Sequence, residues 1–228
     1  MPLHSLLDKN FLVTNITVDD PWCSSHGAAD GGNFLGVGIF YYAIAYALAA
    51  KTCVCLGSGG GFVPRLMRQA QRDLELKPSR TILVDGDQHV SGPRKEIWGS
   101  PCWVEKTSTF RSNYPDVEIL LTLTEDAFNG FFRPEGIAID YLHIDADHHY
   151  DGVKRDWDLY RTLVPDSGVI TLHDTVNYRE PCGVPRLLHE IRASGEYEVV
   201  NFPLAYGTAI LKKRPFSNEE KRLNTSNK

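Results

Sequence analysis

Acidic and imidazole side chains are concentrated in residues 141–153, which read YLHIDADHHYDGV. The segment begins like a buried strand and then places three acids and two histidines within seven positions: Asp145, Asp147, His148, His149 and Asp151. Side chains of these types can bind a divalent cation or carry a proton. We interpret Asp147 as a cap of the helix that begins near Tyr150. His149 and Asp151 are interpreted as solvated.

A further acid, Asp174, ends the apolar run VITLHD at residues 169–174, with His173 beside it. Adjacent parallel strands lie about 5 Å apart, so Asp145 and Asp174 can converge. Two carboxylates that close repel each other and raise the pKa of one of them, unless positive charge lies between them. A divalent metal supplies that charge, and Mg²⁺ binds carboxylates together with waters and substrate oxygens. The two strand ends therefore predict a metal site.

Four glycines stand between a strand-like and a helix-like segment: Gly57, Gly59, Gly60 and Gly61. Glycines at such a turn permit positive φ angles and close approach of a ligand, and a helix start presents unpaired N–H groups. Dinucleotides and nucleosides such as S-adenosylmethionine are the two ligand classes bound in this way. The dinucleotide pattern requires glycine where Phe62 stands, and the Gly-Lys-Ser/Thr of a phosphate loop is absent. Asp85 ends the next strand, where its carboxylate can accept hydrogen bonds from two ribose hydroxyls, so we predict a nucleoside site.

Predicted strands and helices alternate along the chain, and these elements must position the residues named above. Strands are predicted at residues 52–57, 80–86, 117–126, 139–147 and 169–174, helices at residues 34–50, 61–74, 150–164 and 185–194, and an antiparallel strand pair closes the fold. Continuously apolar strands that alternate with helices predict an α/β fold with a doubly wound, mostly parallel sheet covered on both faces. Four acids then lie at C-terminal strand ends, where one cleft can collect them: Asp85, Asp126, Asp145 and Asp174.

The overall composition is that of one globular domain, with 228 residues, 42% hydrophobic and 23% charged. A net charge of -5 argues against a mainly electrostatic nucleic-acid binder. The five cysteines form no paired metal pattern and favour reduced core thiols and a cytoplasmic location.

Residues 34–50 favour a buried helix over a membrane span, and the opening residues lack a secretory signal. We expect an N-terminal cap and helix at residues 1–50, the main domain at 51–214 and a flexible tail at 215–228.

The chain resembles class I S-adenosylmethionine-dependent methyltransferases in four segments, which read in order VCLGSGGG, ILVDGD, TLTEDAF and YLHIDADHHYDGVKRDWDLYRTLVPDSGVITLHD. The last segment is the most specific and is similar to the metal-dependent small-molecule O-methyltransferases of macrolide-sugar and cephalosporin biosynthesis. The resemblance covers about residues 50–214 and implies a Rossmann-like methyltransferase fold with a reversed final strand. It implies these cofactor-binding residues: Gly57, Gly59 and Gly61 near the methionine part, Asp85 at the ribose, Asp126 near the adenine amine, and Asp145.

The same resemblance implies a divalent metal, Mg²⁺ or Mn²⁺ above all, that is held by Asp145, His173 and Asp174 and grips a substrate diol. That group often has two acids where this chain has His173 and Asp174. An imidazole is a softer ligand than a carboxylate, so His173 would suit Mn²⁺, Fe²⁺ or Zn²⁺ better than Mg²⁺. The alternative is that His173 points into the core and binds no metal. His148 matches the position of a base in that group.

The predicted reaction is methyl transfer from the sulfonium of S-adenosylmethionine to a hydroxyl of a small sugar, diol or catechol-like molecule. His148 takes the proton, and the metal at Asp145 lowers the pKa of the hydroxyl. The alternatives are a nicotinamide-linked oxidoreductase, which Phe62 opposes, a metal-dependent hydrolase, and a non-catalytic binding domain. We expect a small-molecule substrate and neither nucleic acid nor membrane as a partner. A homo-oligomer is possible, and the sequence does not determine the oligomeric state.

Overall fold

Seven strands form one sheet, against which the helices pack. The computed structural model describes residues 23–28, 34–58, 60–86, 108–179 and 181–215. The strands are β1 (Thr52–Leu56), β2 (Arg80–Asp85), β3 (Glu118–Leu121), β4 (Tyr141–Ile144), β5 (Val169–His173), β6 (Tyr197–Phe202) and β7 (Thr208–Lys213). The helices are α1 (Gly38–Ala47), α2 (Phe62–Asp73), α3 (Ser108–Asn113), α4 (Thr124–Ala127), α5 (Arg133–Glu135), α6 (Tyr150–Tyr160) and α7 (Val184–Ser194), with a π-helical turn at Phe128–Phe132 and 3₁₀ turns at Cys23–His26 and Arg161–Leu163.

The strand order β3-β2-β1-β4-β5-β7-β6 places the winding reversal between β1 and β4. The strands β1 to β5 are parallel, whereas β7 runs antiparallel to both β5 and β6. The predicted doubly wound, mostly parallel sheet with a reversed final strand is therefore confirmed. Ligands of such sheets bind beyond the carboxyl ends of the strands at the reversal, so the ends of β1 and β4 matter most for function.

Backbone hydrogen bonds bring these two strand ends side by side. Leu56 of β1 lies opposite Ile144 of β4. Asp145 donates its N–H to the carbonyl of Leu56 at 2.8 Å, and Gly57 donates its N–H to the carbonyl of Val84 at 2.8 Å. The glycine turn and the acid-rich turn therefore leave the sheet next to each other.

The alternation of side chains along β1 divides the core between the two faces of the sheet. Val54 belongs to the core beneath α6 and α7, which includes Trp157 and Leu188. Cys53 belongs to the core beneath α1 and α2, which includes Phe62. Both faces are covered by helices, which explains why the parallel strands are continuously apolar. The described cysteines are free thiols, as predicted.

The third strand is shorter than its sequence predicted. Strand β3 ends at Leu121, so the prediction of a strand over residues 117–126 is wrong in its second half. The carbonyl of Thr124 accepts a hydrogen bond from the Tyr160 hydroxyl of α6 at 2.7 Å, which holds the chain in α4 instead. Asp126 is therefore exposed within a helix and does not end a strand.

The helix predicted at residues 34–50 is confined to Gly38–Ala47. It ends before Ala49, which has a positive φ of 46°. No helix in the described part of the chain combines the length and apolar character that crossing a membrane requires. The predicted N-terminal cap lies mostly outside the described residues, and residues 216–228 of the predicted tail lie entirely outside them.

Candidate functional site

The turn after β1 requires glycine at two described positions. Gly57 has a φ of 70°, and a Cβ there would lie 2.5 Å from the Asp145 carbonyl oxygen. Gly61 has a φ of 88°, and a Cβ there would lie 2.5 Å from the Phe110 ring. Both positions combine a left-handed backbone with a close neighbour, so a larger residue would displace the turn. Gly59, the third predicted cofactor residue of this turn, lies outside the described residues.

Arg65 holds the glycine turn from within the protein, and no pattern in the sequence indicated this role. Its side chain is fully buried in α2. Its Nε donates to the carbonyl of Gly61 and an Nη to the carbonyl of Gly60, each at 3.1 Å. A buried guanidinium that donates to two carbonyls is expected to restrict the movement of the turn.

Asp85 ends β2 beside this turn, as predicted. Its Oδ1 accepts a hydrogen bond from the N–H of Gly86 at 2.7 Å, which orients the carboxylate. The neighbouring Val84 carbonyl is the acceptor for Gly57. Asp126 follows β3, the next strand along the sheet, but its side chain is exposed on α4. The structure thus places Asp85 at the turn and Asp126 farther out on the carboxyl side of the sheet.

The four residues predicted for metal binding and proton transfer come together beyond β4 and β5. His148 Nε2 lies 3.0 Å from Asp145 Oδ1 and 3.3 Å from Asp174 Oδ2. His173 Nδ1 lies 3.3 Å from the same Asp145 oxygen and 3.2 Å from the same Asp174 oxygen. Two imidazoles therefore lie between two carboxylates. His173 does not turn away into the core, which was the alternative that its place in the strand left open.

Two further histidines complete this cluster, and the sequence analysis missed both. His26 Nε2 lies 3.7 Å from Asp145 Oδ2, and His143 Nε2 lies 3.8 Å from the same oxygen. His143 lies within the predicted strand, where a polar residue in an apolar run was an overlooked signal. His26 lies in a short 3₁₀ turn, and no spacing rule connects it with Asp145.

The charges in the cluster are strongly coupled. Burial alone would raise the pKa of Asp145, but the charge of His173 and the other histidines holds this pKa well below its usual value. Burial would lower the pKa of His173, but Asp145 and Asp174 raise it to about 10. Burial likewise opposes the shift of His148, whose pKa is raised by Asp145 and Asp174. For His26 burial prevails, with help from the charge of His173, and its pKa is lowered.

The remaining polar residues of this segment have local partners. Asp147 Oδ1 accepts hydrogen bonds from the backbone N–H and from Nδ1 of His149, both at 3.0 Å. Asp147 thus lies at the start of α6, where a cap was predicted, although it binds the residue before the helix. Asp151 is exposed in the first turn of α6. These residues do not contribute to the cluster around Asp145.

A family model described as a methyltransferase domain matches residues 54–175. No curated protein sequence matches the chain significantly.

The fold is similar to those of several solved structures. One is the O-methyltransferase TomG from Streptomyces achromogenes, which is involved in tomaymycin synthesis and was solved in complex with S-adenosylmethionine. The two chains are 13% identical with a TM-score of 0.60, and the match covers 85% of this chain and 87% of TomG. Another is an O-methyltransferase from Bacillus cereus in complex with S-adenosylhomocysteine, at 16% identity, a TM-score of 0.55, and coverage of 77% and 80%. A third is the methyltransferase PaMTH1 from Podospora anserina, bound to S-adenosylhomocysteine, at 15% identity, a TM-score of 0.53, and coverage of 78% of each chain. At these identities the likeness concerns the fold.

Proposed function

Because the chain belongs to the methyltransferase-domain family, we propose that it transfers the methyl group of S-adenosylmethionine to a hydroxyl oxygen of a small molecule. The family match confirms the predicted class of enzyme, a class I methyltransferase. The narrower likeness to the enzymes of macrolide-sugar and cephalosporin biosynthesis stays a prediction, as do the acceptor, the metal and the cytoplasmic location.

One observation carries the proposal: the glycine turn and the acid–histidine cluster meet at the winding reversal. A Cβ on Gly57 would lie 2.5 Å from the carbonyl oxygen of Asp145, so the two turns touch. A cofactor held by the glycine turn and Asp85 would then present its methyl group beside Asp145 and His148. This arrangement supplies positioning and proton removal, which are the protein's contributions to a reaction whose leaving group belongs to the cofactor.

The proposed chemistry is a single displacement. A new bond forms between the acceptor oxygen and the methyl carbon while the bond from that carbon to sulfur breaks, which yields a methyl ether and S-adenosylhomocysteine. The hydroxyl proton passes to His148. Asp145 and Asp174, which lie 3.0 and 3.3 Å from His148 Nε2, stabilise the imidazolium that results.

Oxygen is the acceptor atom favoured by two neighbours of known structure. TomG and the Bacillus cereus protein are O-methyltransferases. The cluster agrees with a hydroxyl acceptor, because a hydroxyl must lose its proton to become a good nucleophile and the cluster holds an imidazole suited to accept it. A small acceptor also suits a chain whose net charge of -5 would repel nucleic acid.

Two distances support a divalent cation at the predicted metal ligands. Ligands about 2.1 Å from an octahedral Mg²⁺ lie about 3.0 Å from one another, and His173 Nδ1 lies 3.3 Å from Asp145 Oδ1 and 3.2 Å from Asp174 Oδ2. Asp145 and His173 would hold the cation, with Asp174 as the third ligand that the sequence predicted, and the cation when bound would lower the pKa of a coordinated hydroxyl. The donor set includes an imidazole, which favours Mn²⁺, Fe²⁺ or Zn²⁺ over Mg²⁺.

The alternatives of the sequence analysis gain less support. Phe62, where a dinucleotide site requires glycine, is fully buried and stacks on His26 with ring centroids 5.1 Å apart. The last glycine of that pattern lets the helix pack closely on the strand, which a phenylalanine ring at the same position hinders. A metal-dependent hydrolase would use the cluster but would leave the adjoining glycine turn and Asp85 without a role.

Asp85 provides the test of this proposal. Asp85→Ala should weaken S-adenosylhomocysteine binding about 10- to 100-fold, because a hydrogen bond to a charged group contributes about 1.5–3 kcal/mol. Calorimetry measures the affinity, and transfer of an isotopically labelled methyl group to a panel of sugars, diols and catechols measures activity. Asp151→Ala, which removes an exposed carboxylate elsewhere, serves as the control. Binding of a nicotinamide dinucleotide in place of S-adenosylhomocysteine would contradict the proposal.

A further inference from the structure

Imidazoles face both oxygens of the Asp145 carboxylate. Oδ1 faces His148 and His173, whereas Oδ2 faces His26 Nε2 at 3.7 Å and His143 Nε2 at 3.8 Å. The rings of His26 and His173 lie with centroids 4.2 Å apart. One ligand atom each from His26, Asp145 and His173 lies within 4.8 Å of the others. Two imidazoles and a carboxylate therefore surround one point in the interior.

Each of the three innermost histidines is oriented by a partner on the side away from Asp145. His26 Nδ1 lies 3.0 Å from the Tyr41 hydroxyl. His173 Nε2–H donates to the carbonyl of Ala205 at 3.2 Å, which leaves the lone pair of neutral His173 on Nδ1, toward the carboxylates. Histidines that bind metals characteristically use the second ring nitrogen in this way, because the outer hydrogen bond fixes the tautomer and the ring orientation.

His143 gives an independent indication of a ligand. Its side chain is fully buried, and its Nδ1 lies 2.8 Å from Thr171 Oγ1. Its Nε2 points toward Asp145 Oδ2 at 3.8 Å, which is too long for a hydrogen bond, and finds no hydrogen-bond partner among the described residues. A buried polar atom without a partner costs about 1–3 kcal/mol, so a ligand that occupied the space beside Asp145 would relieve this cost.

We propose that His26, His173 and Asp145 bind a first-row transition-metal cation, with His143 as the nearest additional nitrogen donor. Two imidazoles and one carboxylate form the donor set typical of Fe²⁺ and related cations, whereas Mg²⁺ prefers oxygen ligands throughout. This centre differs from the predicted site at Asp145, His173 and Asp174, because His26 from the N-terminal segment replaces Asp174 as the third ligand. The inference rests on the proposed function only for its placement beside the methyl acceptor.

A cation at this point would also connect separate parts of the fold. It would tie the 3₁₀ turn of His26 to the ends of β4 and β5. The N–H of Val37 donates to the carbonyl of His26 at 2.9 Å, which joins the same turn to the start of α1.

The test measures metal binding without reference to catalysis. The full chain, free of affinity tags and stripped with a chelator, is titrated with Co²⁺ and with Mg²⁺ by calorimetry, and the visible spectrum of bound Co²⁺ reports nitrogen ligation. We expect one Co²⁺ per chain, bound at least about 100-fold more tightly than Mg²⁺, as the donor set dictates. His26→Ala should weaken Co²⁺ binding by at least about 100-fold, beyond the 10- to 100-fold typical of residues behind a ligand.

Matched variants make the result decisive. His189→Ala removes an exposed histidine on α7 and should bind Co²⁺ like the wild type. His26→Gln keeps the side-chain length if His26→Ala fails to fold, which circular dichroism reveals. Asp174→Asn should weaken Co²⁺ binding less than either His26 variant does. Unchanged Co²⁺ affinity in a folded His26 variant, or a greater loss in Asp174→Asn, would overturn the inference.

The same samples distinguish this inference from the proposed function. If the chain binds Co²⁺ through His26 but does not bind S-adenosylhomocysteine, the metal centre stands and the proposed function fails. If it binds S-adenosylhomocysteine and binds Co²⁺ no more tightly than Mg²⁺, the proposed function stands and the metal centre fails.

Discussion

His148 and His173 lie at similar distances from the same two carboxylates but differ in access. The side chain of His148 is 18% exposed, whereas that of His173 is 2% exposed. His173 also donates to the carbonyl of Ala205, which fixes its ring. A proton acceptor must reach the hydroxyl of a substrate that enters from solvent. His148 is therefore the better base, and His173 the better ligand.

We predict that His148→Ala lowers the single-turnover rate of methyl transfer about 100- to 10,000-fold, the usual contribution of a general base. Affinity for S-adenosylhomocysteine should change little, because the glycine turn and Asp85 remain. His149→Ala provides a matched control, since the His149 side chain binds Asp147 and lies outside the cluster. Rapid-quench measurements with labelled cofactor test both variants. If His149→Ala lost as much rate as His148→Ala, the effect would belong to the turn after β4 as a whole and not to a base at His148.

At the scale of the elements, contacts on two sides constrain the turn between β1 and α2. Gly57 has a left-handed backbone, and a Cβ there would meet the backbone of Ala146 beyond β4. Arg65 of α2 holds two carbonyls of the same turn. The element therefore depends on contacts with α2 and with the turn after β4, and a change in the glycine turn should affect the position of Asp145.

We predict that Gly57→Ala lowers both stability and cofactor affinity. A left-handed backbone costs a residue with a side chain about 1–2 kcal/mol, and the new Cβ would lie 2.5 Å from the Ala146 Cα. The midpoint of thermal unfolding should fall by at least about 2–8 °C in a domain of this size. Gly130→Ala is the control, because a Cβ there meets nothing within 4 Å. Equal unfolding midpoints for the two variants would show that the turn relaxes without cost.

At the scale of the whole molecule, the proposed cofactor site draws on both sides of the winding reversal. The glycine turn follows β1 and Asp85 ends β2, whereas Asp145 and Asp174 follow β4 and β5. The match to the methyltransferase-domain family, from residue 54 to residue 175, includes all four strand ends. A ligand that contacts both sides should therefore stabilise the entire sheet.

We predict that S-adenosylhomocysteine raises the midpoint of thermal unfolding, whereas a nicotinamide dinucleotide leaves it unchanged. A ligand at 100 times its dissociation constant stabilises the native state by about 2.7 kcal/mol, which corresponds to about 5–11 °C for a domain of this size. Scanning calorimetry over a series of ligand concentrations measures the shift. A shift with the dinucleotide and none with S-adenosylhomocysteine would favour the oxidoreductase alternative.

The sequence by itself determined the order of the strands and of the four longest helices, the glycine turn, and the acids at the ends of β2, β4 and β5. These features depend on local physics, because an apolar strand, a glycine at positive φ and a helix start each leave their mark within a few residues. The error at β3 has a physical reason as well. The residues beyond Leu121 are compatible with a strand by their sequence. The hydrogen bond between Thr124 and Tyr160 instead favours the helix α4.

Only the tertiary structure decided that His26 and His143 join His148 and His173 around Asp145. His26, His143 and His173 are far apart in the chain, and each is oriented by a partner from another segment: Tyr41, Thr171 and Ala205. Convergence of this kind depends on the order and register of the strands and on the path of the N-terminal segment, which no local spacing encodes. The sequence thus predicted the acids of the site from the strands they end, whereas the histidines opposite Asp145 Oδ2 became evident only when the sheet and the N-terminal segment were packed together.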